Sequence, residues 1–472
     1  MNPFVLLLIG LIIVLGGILV AKWHPILALL LGAVVIGALT SDAQLQAYAL
    51  SKNFSPEQVQ DLLDQSLGKR IAAAFGNTCE KIGLLIALAS IIGKCLLDSG
   101  GAERIVRSML GVFGEKRAPF AFMVSSFALA IPIFFDTVFY LMIPLARAMG
   151  IRKAKAFPVF IMAIVAGAAM AHSLVPPTPG PLFAASALGV GIGIMMIIGS
   201  IVGIFASGAG LAYAFWINRR QDIPLRNTSA TSVETLKNWL EKDNKQLPSP
   251  FLAHLPIVLP LLLIAGNTIT QNLELPIPAG VREVFRAVGD PVIALLISTL
   301  AALYLLSRQF NFQLKALKQP MEAAVSSAGI IILITAMGGA FGAMLQQTSI
   351  GNLLIELSPD YQILALPMAW FIAALIRTAQ GSATVAIITA VGMLTAFGAE
   401  GVLNYHPVYL AVAIGCGSKL FPWMNDSGFW IVGRMSGFTE GETFRNFSFL
   451  MTVMAVAGLI VTMILASLFP LI

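Results

Sequence analysis

Charged side chains are scarce in this sequence, and the few that interrupt its longest apolar runs are the ones that could do chemistry. Asp136 falls in IPIFFDT (131–137), Arg377 opens RTAQGSAT (377–384), Lys419 lies just before PWMNDSG (422–428), and Asp426 lies inside it. If these runs cross a bilayer, an unpaired guanidinium there costs on the order of 2.5 to 3.5 kcal/mol by insertion scales, so Arg377 needs a partner. Two roles compete for it: a bidentate fork to a substrate carboxylate, or an ion pair with Asp136 or Asp426. Lys419 could touch the same substrate, or snorkel from a helix end. Asp136 and Asp426 could each carry a proton; the alternative is that both cap half-helix N-termini, where Asp is a preferred residue. His172, just before VPPTPGP (175–181), titrates in the useful range but could equally be a neutral, hydrogen-bonded core histidine.

Around these charges stand groups suited to a small hydroxylated anion. Thr137, Thr178, Ser382, Thr384 and Ser427 offer hydroxyls, while Gly180, Gly381 and Asn425 lie in the same interrupted stretches. Half-helix N-termini at such breaks present unpaired N–H groups and the positive end of a dipole, which suit a carboxylate. Enzymatic chemistry has little support. Cys79, Cys95 and Cys416 lie in apolar stretches without metal-ligand spacing, and no H-E-x-x-H or G-x-S-x-G occurs. GVGIG (189–193) follows no strand and lacks the G-x-G-x-x-G spacing of a nucleotide loop. The sequence asks for no cofactor and no metal.

The elements that must hold these residues follow from composition. Of 472 residues, 58% are hydrophobic and 11% charged, against about 25% charged in soluble domains. Lipid must therefore solvate most of the chain, and its net charge of +6 points to the membrane surface rather than to nucleic acid. A crossing helix needs about 20 apolar residues. Stretches 3–21, 25–40, 190–217, 251–271, 289–306 and 446–470 qualify plainly, and 71–97 and 321–345 read as crossings with a few charges. Regions 119–146 and 363–397 have the length of hairpins, broken at 131–137 and 377–384. Segments 156–188 and 407–433 are helical in pattern but carry Pro, Asn, Asp and Gly at their centres, so each reads as one broken helix.

This order occurs twice, on either side of a polar linker (219–250), which predicts an all-α polytopic membrane protein of two repeats, 1–218 and 251–472, with five crossings each. HPILALL (24–30) parallels DPVIALL (290–296), GKCLLDSGGAERI (93–105) parallels GAMLQQTSIGNLL (342–354), and FPVF (157–160) parallels HPVY (406–409). An odd number of crossings puts the second repeat upside down relative to the first. With the linker in the cytoplasm, 20 of the 29 Lys and Arg fall in inside loops and 5 outside, as the positive-inside rule requires. The linker segment VETLKNWLEK (233–242) is expected to form a short surface helix.

IGLLIALASIIGKCLLDSGGAERIV (82–106), IPIFFDTVFYLMIPLARAMG (131–150), AHSLVPPTPGPLFAA (171–185) and MNDSGFW (424–430) resemble the gluconate permease family of bacterial proton symporters. The resemblance covers almost the whole chain; the loop 41–70 is longer than usual and is expected to add a periplasmic helix. It implies an inner-membrane, multi-pass carrier of gluconate or a related hydroxy acid. It also implies coupling to protons and elevator-type movement of hairpins and broken helices against a homodimeric scaffold, much of it from residues 3–40 and 251–306. Sodium coupling is the competing reading, an anion channel a further one.

Overall fold

The computed structural model describes residues 1–226, 247–272, 278–350, 364–398 and 402–471, and every regular element among them is helical. The expected helix at 233–242 and the last residues of the 342–354 repeat match lie outside them. The first half runs α1 (Pro3–Leu15), α2 (Pro25–Leu39), α3 (Asp42–Ser51), α4 (Pro56–Asp64), α5 (Leu67–Asp98), α6 (Gly101–Phe113), α7 (Ala118–Leu129), α8 (Phe135–Arg152), α9 (Phe157–Leu174), α10 (Pro179–Ala187) and α11 (Ile192–Asn218). The second runs α12 (Pro250–Asn272), α13 (Ala279–Val288), α14 (Pro291–Gln309), α15 (Lys318–Gln346), α16 (Ala365–Gln380), α17 (Ala383–Leu394), α18 (Val408–Gly417), α19 (Ser427–Ser436), α20 (Glu440–Thr443) and α21 (Phe449–Leu468).

Local chemistry sets many of these boundaries. Proline stands in the first turn of α1, α2, α4, α7, α9, α10 and α14, where its missing N–H costs nothing and its fixed φ suits a helix. Ser41 and Ser55 close capping boxes on α3 and α4, and Asp290 caps α14. Among the described residues, six helical stretches are long and apolar enough to cross a membrane, up to eight if two bent pairs each count once. The chain is a multi-pass membrane protein.

Helix breaks fall where proline and turn-forming residues interrupt the apolar runs; three are narrower than the sequence suggests and the one between α18 and α19 is wider. The first separates α7 from α8 at residues 130–134, so Asp136 and Thr137 begin α8 instead of forming the tip. Between α16 and α17 only Gly381 and Ser382 are non-helical, which leaves Arg377 in the last turn of α16 and Thr384 in the first of α17. Residues 175–178 part α9 from α10, and 418–426 part α18 from α19. Loop 41–70 holds two short helices, which share a small core of Leu45, Ala49 and Leu62.

Packing pairs elements of the two halves. α5 lies against α15 and α11 against α21, while α2 packs on α15 as α14 packs on α5. Likewise α7 packs on α9 as α16 packs on α18, and α10 on α17 as α19 on α8. Two arginines read as loop charges are instead interior. Arg70 donates to Gln347 Oε1 and to the Gly37 carbonyl, each at 3.0 Å. Arg147, 1% exposed in α8, donates to the carbonyls of Met435 (3.1 Å) and Arg226 (2.6 Å). A buried guanidinium is tolerable where backbone carbonyls satisfy its donors.

Candidate functional site

Gly381 ends α16 with φ +87°, the left-handed conformation that glycine adopts without strain. A Cβ on Gly381 would stand 2.2 Å from the Asn425 carbonyl oxygen, so the tip between α16 and α17 and the break between α18 and α19 are in direct backbone contact. Arg377 reaches across that contact. One of its terminal nitrogens donates to the Gly381 carbonyl and the other to Asp426 Oδ2, and both residues are buried. Asp426 also accepts from the Gly428 N–H at 2.6 Å, capping α19. Asp426 is thus both the ion-pair partner of Arg377 and the cap of α19, and the Arg377 fork is occupied by the protein itself.

The other two breaks close on the same region. His172 Nε2 lies 3.4 Å from Thr384 Oγ1 and its ring packs edge-on to Phe134, 5.7 Å between centroids, so α9, α17 and the α7–α8 tip meet there. Ser418 Oγ lies 3.4 Å from Ser173 Oγ, joining the two broken helices. A cavity of about 10 Å³ remains between the α7–α8 tip and the α9–α10 break, lined by Ser90, Pro132, Phe134, Pro177 and Thr178. That is room for about one water.

Charge concentrates where these segments converge. Asp136, Arg377, Lys419 and Asp426 interact electrostatically with one another, and Lys419 also acts on His172. Lys419, only 2% exposed, follows the end of α18 without reaching a surface, and among the described residues its ammonium has neither a hydrogen bond nor an ion pair. Partly buried Asp136 is likewise unpaired. Polar atoms without partners gather nearby: His172 Nδ1, Arg377 Nε, Gln380 Oε1 and Asn425 Oδ1. Buried polar groups normally find partners, so this concentration marks a place where a polar ligand can complete the bonding.

The hydroxyls differ in availability. Thr178 donates to the Val175 carbonyl at 2.6 Å, and Ser382 accepts from the Val385 N–H at 3.4 Å, capping α17. Thr137 is partly buried in α8, and Ser427 is exposed at the start of α19. Gly180, in α10, faces Ile387 of α17, where a Cβ would come within 2.9 Å of that side chain. Asn425 donates to the Thr378 carbonyl at 2.9 Å, as does the Trp423 indole at 2.5 Å. Gln380, Phe134 and Ser173 were not expected at the site. Only their adjacence to the breaks could have flagged them, because amide, aromatic and hydroxyl side chains carry no burial signal in one sequence.

Comparison with known proteins fits this picture. The profile of the GntP family permease matches residues 58–469. A gluconate permease of Pseudomonas aeruginosa is 31% identical over 98% of this chain and 97% of its own length. One from Zymomonas mobilis is 32% identical over 94% of each chain, and the high-affinity gluconate transporter of Escherichia coli is 28% identical over 97% and 98%. Among solved structures, the Alcanivorax borkumensis YdaH transporter superposes over the full length of both chains with a TM-score of 0.57 at 14% identity, a likeness of fold. The chain belongs to the GntP family of permeases.

Proposed function

We propose that the protein is a secondary active transporter that imports gluconate or a related hydroxy or sugar acid anion across a bacterial inner membrane by proton symport. The observation that carries this reading is the convergence of four helix breaks on Asp136, Arg377, Lys419 and Asp426, with unpartnered polar atoms between them. Irregular backbone at membrane depth persists where protein or a polar cavity satisfies it, and carriers place substrate at such breaks. Relatives named as gluconate permeases supply the substrate class. The paired packing of the two halves supports inverted repeats 1–218 and 251–472 around a cytoplasmic linker, 219–250. Movement is of the elevator type, the hairpins and broken helices travelling against a scaffold shared by two copies of the chain.

A monoanion accompanied by one proton moves no net charge, so the pH gradient alone drives it; a second proton would add about 2.3 kcal/mol per 100 mV. The test is uptake of labelled gluconate into proteoliposomes under separate pH and sodium gradients. Accumulation with an alkaline interior and no sodium is the expected result. Accumulation that follows sodium alone would replace the coupling ion, and downhill flux without counterflow would replace the carrier with a channel.

A further inference from the structure

Lys419 is buried and unpaired among the described residues, although Asp136, Asp426 and Arg377 all act on it. Asp426 is already engaged, since it pairs with Arg377 and caps α19. Asp136, from α8, is the other carboxylate at the convergence: Ser418, beside Lys419, meets Ser173 at 3.4 Å, and the adjacent His172 packs on Phe134, two residues before Asp136, which has no hydrogen bond or ion pair among the described residues. Cys416 and His172 complete the titratable surroundings of the ammonium. A second cation beside the Lys419 ammonium would be repelled by it, so His172 counts as neutral. The Arg377–Asp426 pair sums to zero. What is left is one cation and one carboxylate.

We propose that Lys419 is the shared counter-ion that couples substrate to proton: it balances the Asp136 carboxylate in the empty carrier, and a substrate carboxylate takes that place once Asp136 is protonated. The inference rests on the symport reading above and extends it to a mechanism. In the empty carrier Lys419⁺ and Asp136⁻ cancel; in the loaded one Lys419⁺ and the substrate carboxylate cancel beside a neutral Asp136. Substrate with an ionised Asp136 leaves one negative charge over, and a protonated Asp136 without substrate leaves one positive. An uncompensated charge is costly to carry through a low-dielectric path, so only the empty and doubly loaded forms cross readily. Leakage of the proton or the anion alone is thereby suppressed. The bland alternative is that Lys419 merely neutralises the carbonyl end of α18, yet no carbonyl accepts from its ammonium among the described residues.

Equilibrium binding of labelled gluconate to the purified full-length protein, from mildly acidic to mildly alkaline pH, tests the link. In the wild type, Kd should rise with pH by up to about tenfold per unit once Asp136 is ionised in the empty site, because one proton binds with each anion. Asp136→Asn should make Kd independent of pH, and Lys419→Gln should abolish saturable binding throughout. Wild-type affinity in Lys419→Gln, or an unchanged pH slope in Asp136→Asn, overturns the proposal. Should Lys419→Gln not give a monodisperse species, Lys419→Arg replaces it and must retain the slope that Asp136→Asn loses. Proton-driven uptake by the wild type is measured in parallel. A flat wild-type binding curve alongside such uptake removes only the Lys419–Asp136 link, whereas no proton-driven uptake of any hydroxy acid removes the symport reading as well.

Discussion

At the scale of residues, the Arg377–Asp426 pair joins the α16–α17 break to the α18–α19 break inside the protein. Removing one member of such a pair leaves an uncompensated buried charge and costs about 3 to 5 kcal/mol, whereas replacing both by apolar groups of similar volume is often tolerated. Arg377→Met should therefore lower the thermal midpoint of the detergent-solubilised protein by several degrees, and Arg377→Met with Asp426→Leu should recover much of the loss. Neither variant should transport, because the tip at Gly381 loses the donor that holds its carbonyl. Equal midpoints for wild type and both variants would show that the pair contributes nothing to stability. The participants were legible in the sequence because a charge inside an apolar run is expensive and so rarely idle. Which carboxylate Arg377 meets was not legible, since 49 residues separate it from Asp426 and only the folded chain sets that distance.

Elements were legible in proportion to how sharply their residues forbid the alternative. Proline, glycine and Asx residues located all four breaks, while the short helices α6 and α13 escaped notice. Their polar faces resemble loops, and only the apolar stripe that packs α6 on α7 and α12 distinguishes them. Close helix contact in both halves rests on single glycines. In the first half a Cβ on Gly167 of α9 would stand 2.1 Å from the Met123 carbonyl oxygen of α7; in the second, one on Gly417 of α18 would stand 2.1 Å from that of Trp370 of α16. α9 thus meets α7, and α18 meets α16, through a glycine, against backbone that cannot rotate away. Gly167→Ala and Gly417→Ala should each sharply reduce the yield of monodisperse protein, a large effect for one methyl group. Gly208→Ala, in α11 with open space at the same position, should be neutral or stabilising by about 0.5 to 1 kcal/mol from helix propensity. Similar thermal midpoints and yields for all three would mean that the helices can part at little cost.

For the molecule as a whole, the decisive claim is that the two halves cross the membrane in opposite senses. Several of their packing relations recur in both halves, but a contact pattern alone does not tell which side of the bilayer each loop faces. Charge supplies the expectation: in the proposed arrangement Lys and Arg concentrate in the loops on the linker's side, and translocation of such loops is disfavoured. Tracing the chain from the linker, α12 leaves the cytoplasm where α1 enters it, so Glu57 and Glu283 should lie outside and Lys116 and Lys318 inside. All four are exposed in the fold, and the native thiols Cys95 and Cys416 are buried while Cys79 is partly so. Single cysteines at the four positions, in a background with the native three replaced by alanine, can then be labelled in intact cells with a membrane-impermeant maleimide. Positions 57 and 283 should react before permeabilisation, and positions 116 and 318 only after it. Labelling of 57 and 283 from opposite sides would make the halves parallel, and the four breaks could then no longer be related by a twofold axis in the membrane plane. Labelling of all four in the reverse order would keep the inverted arrangement but turn the molecule over. The linker would then face outward, and the positive-inside bias that oriented it would need another cause.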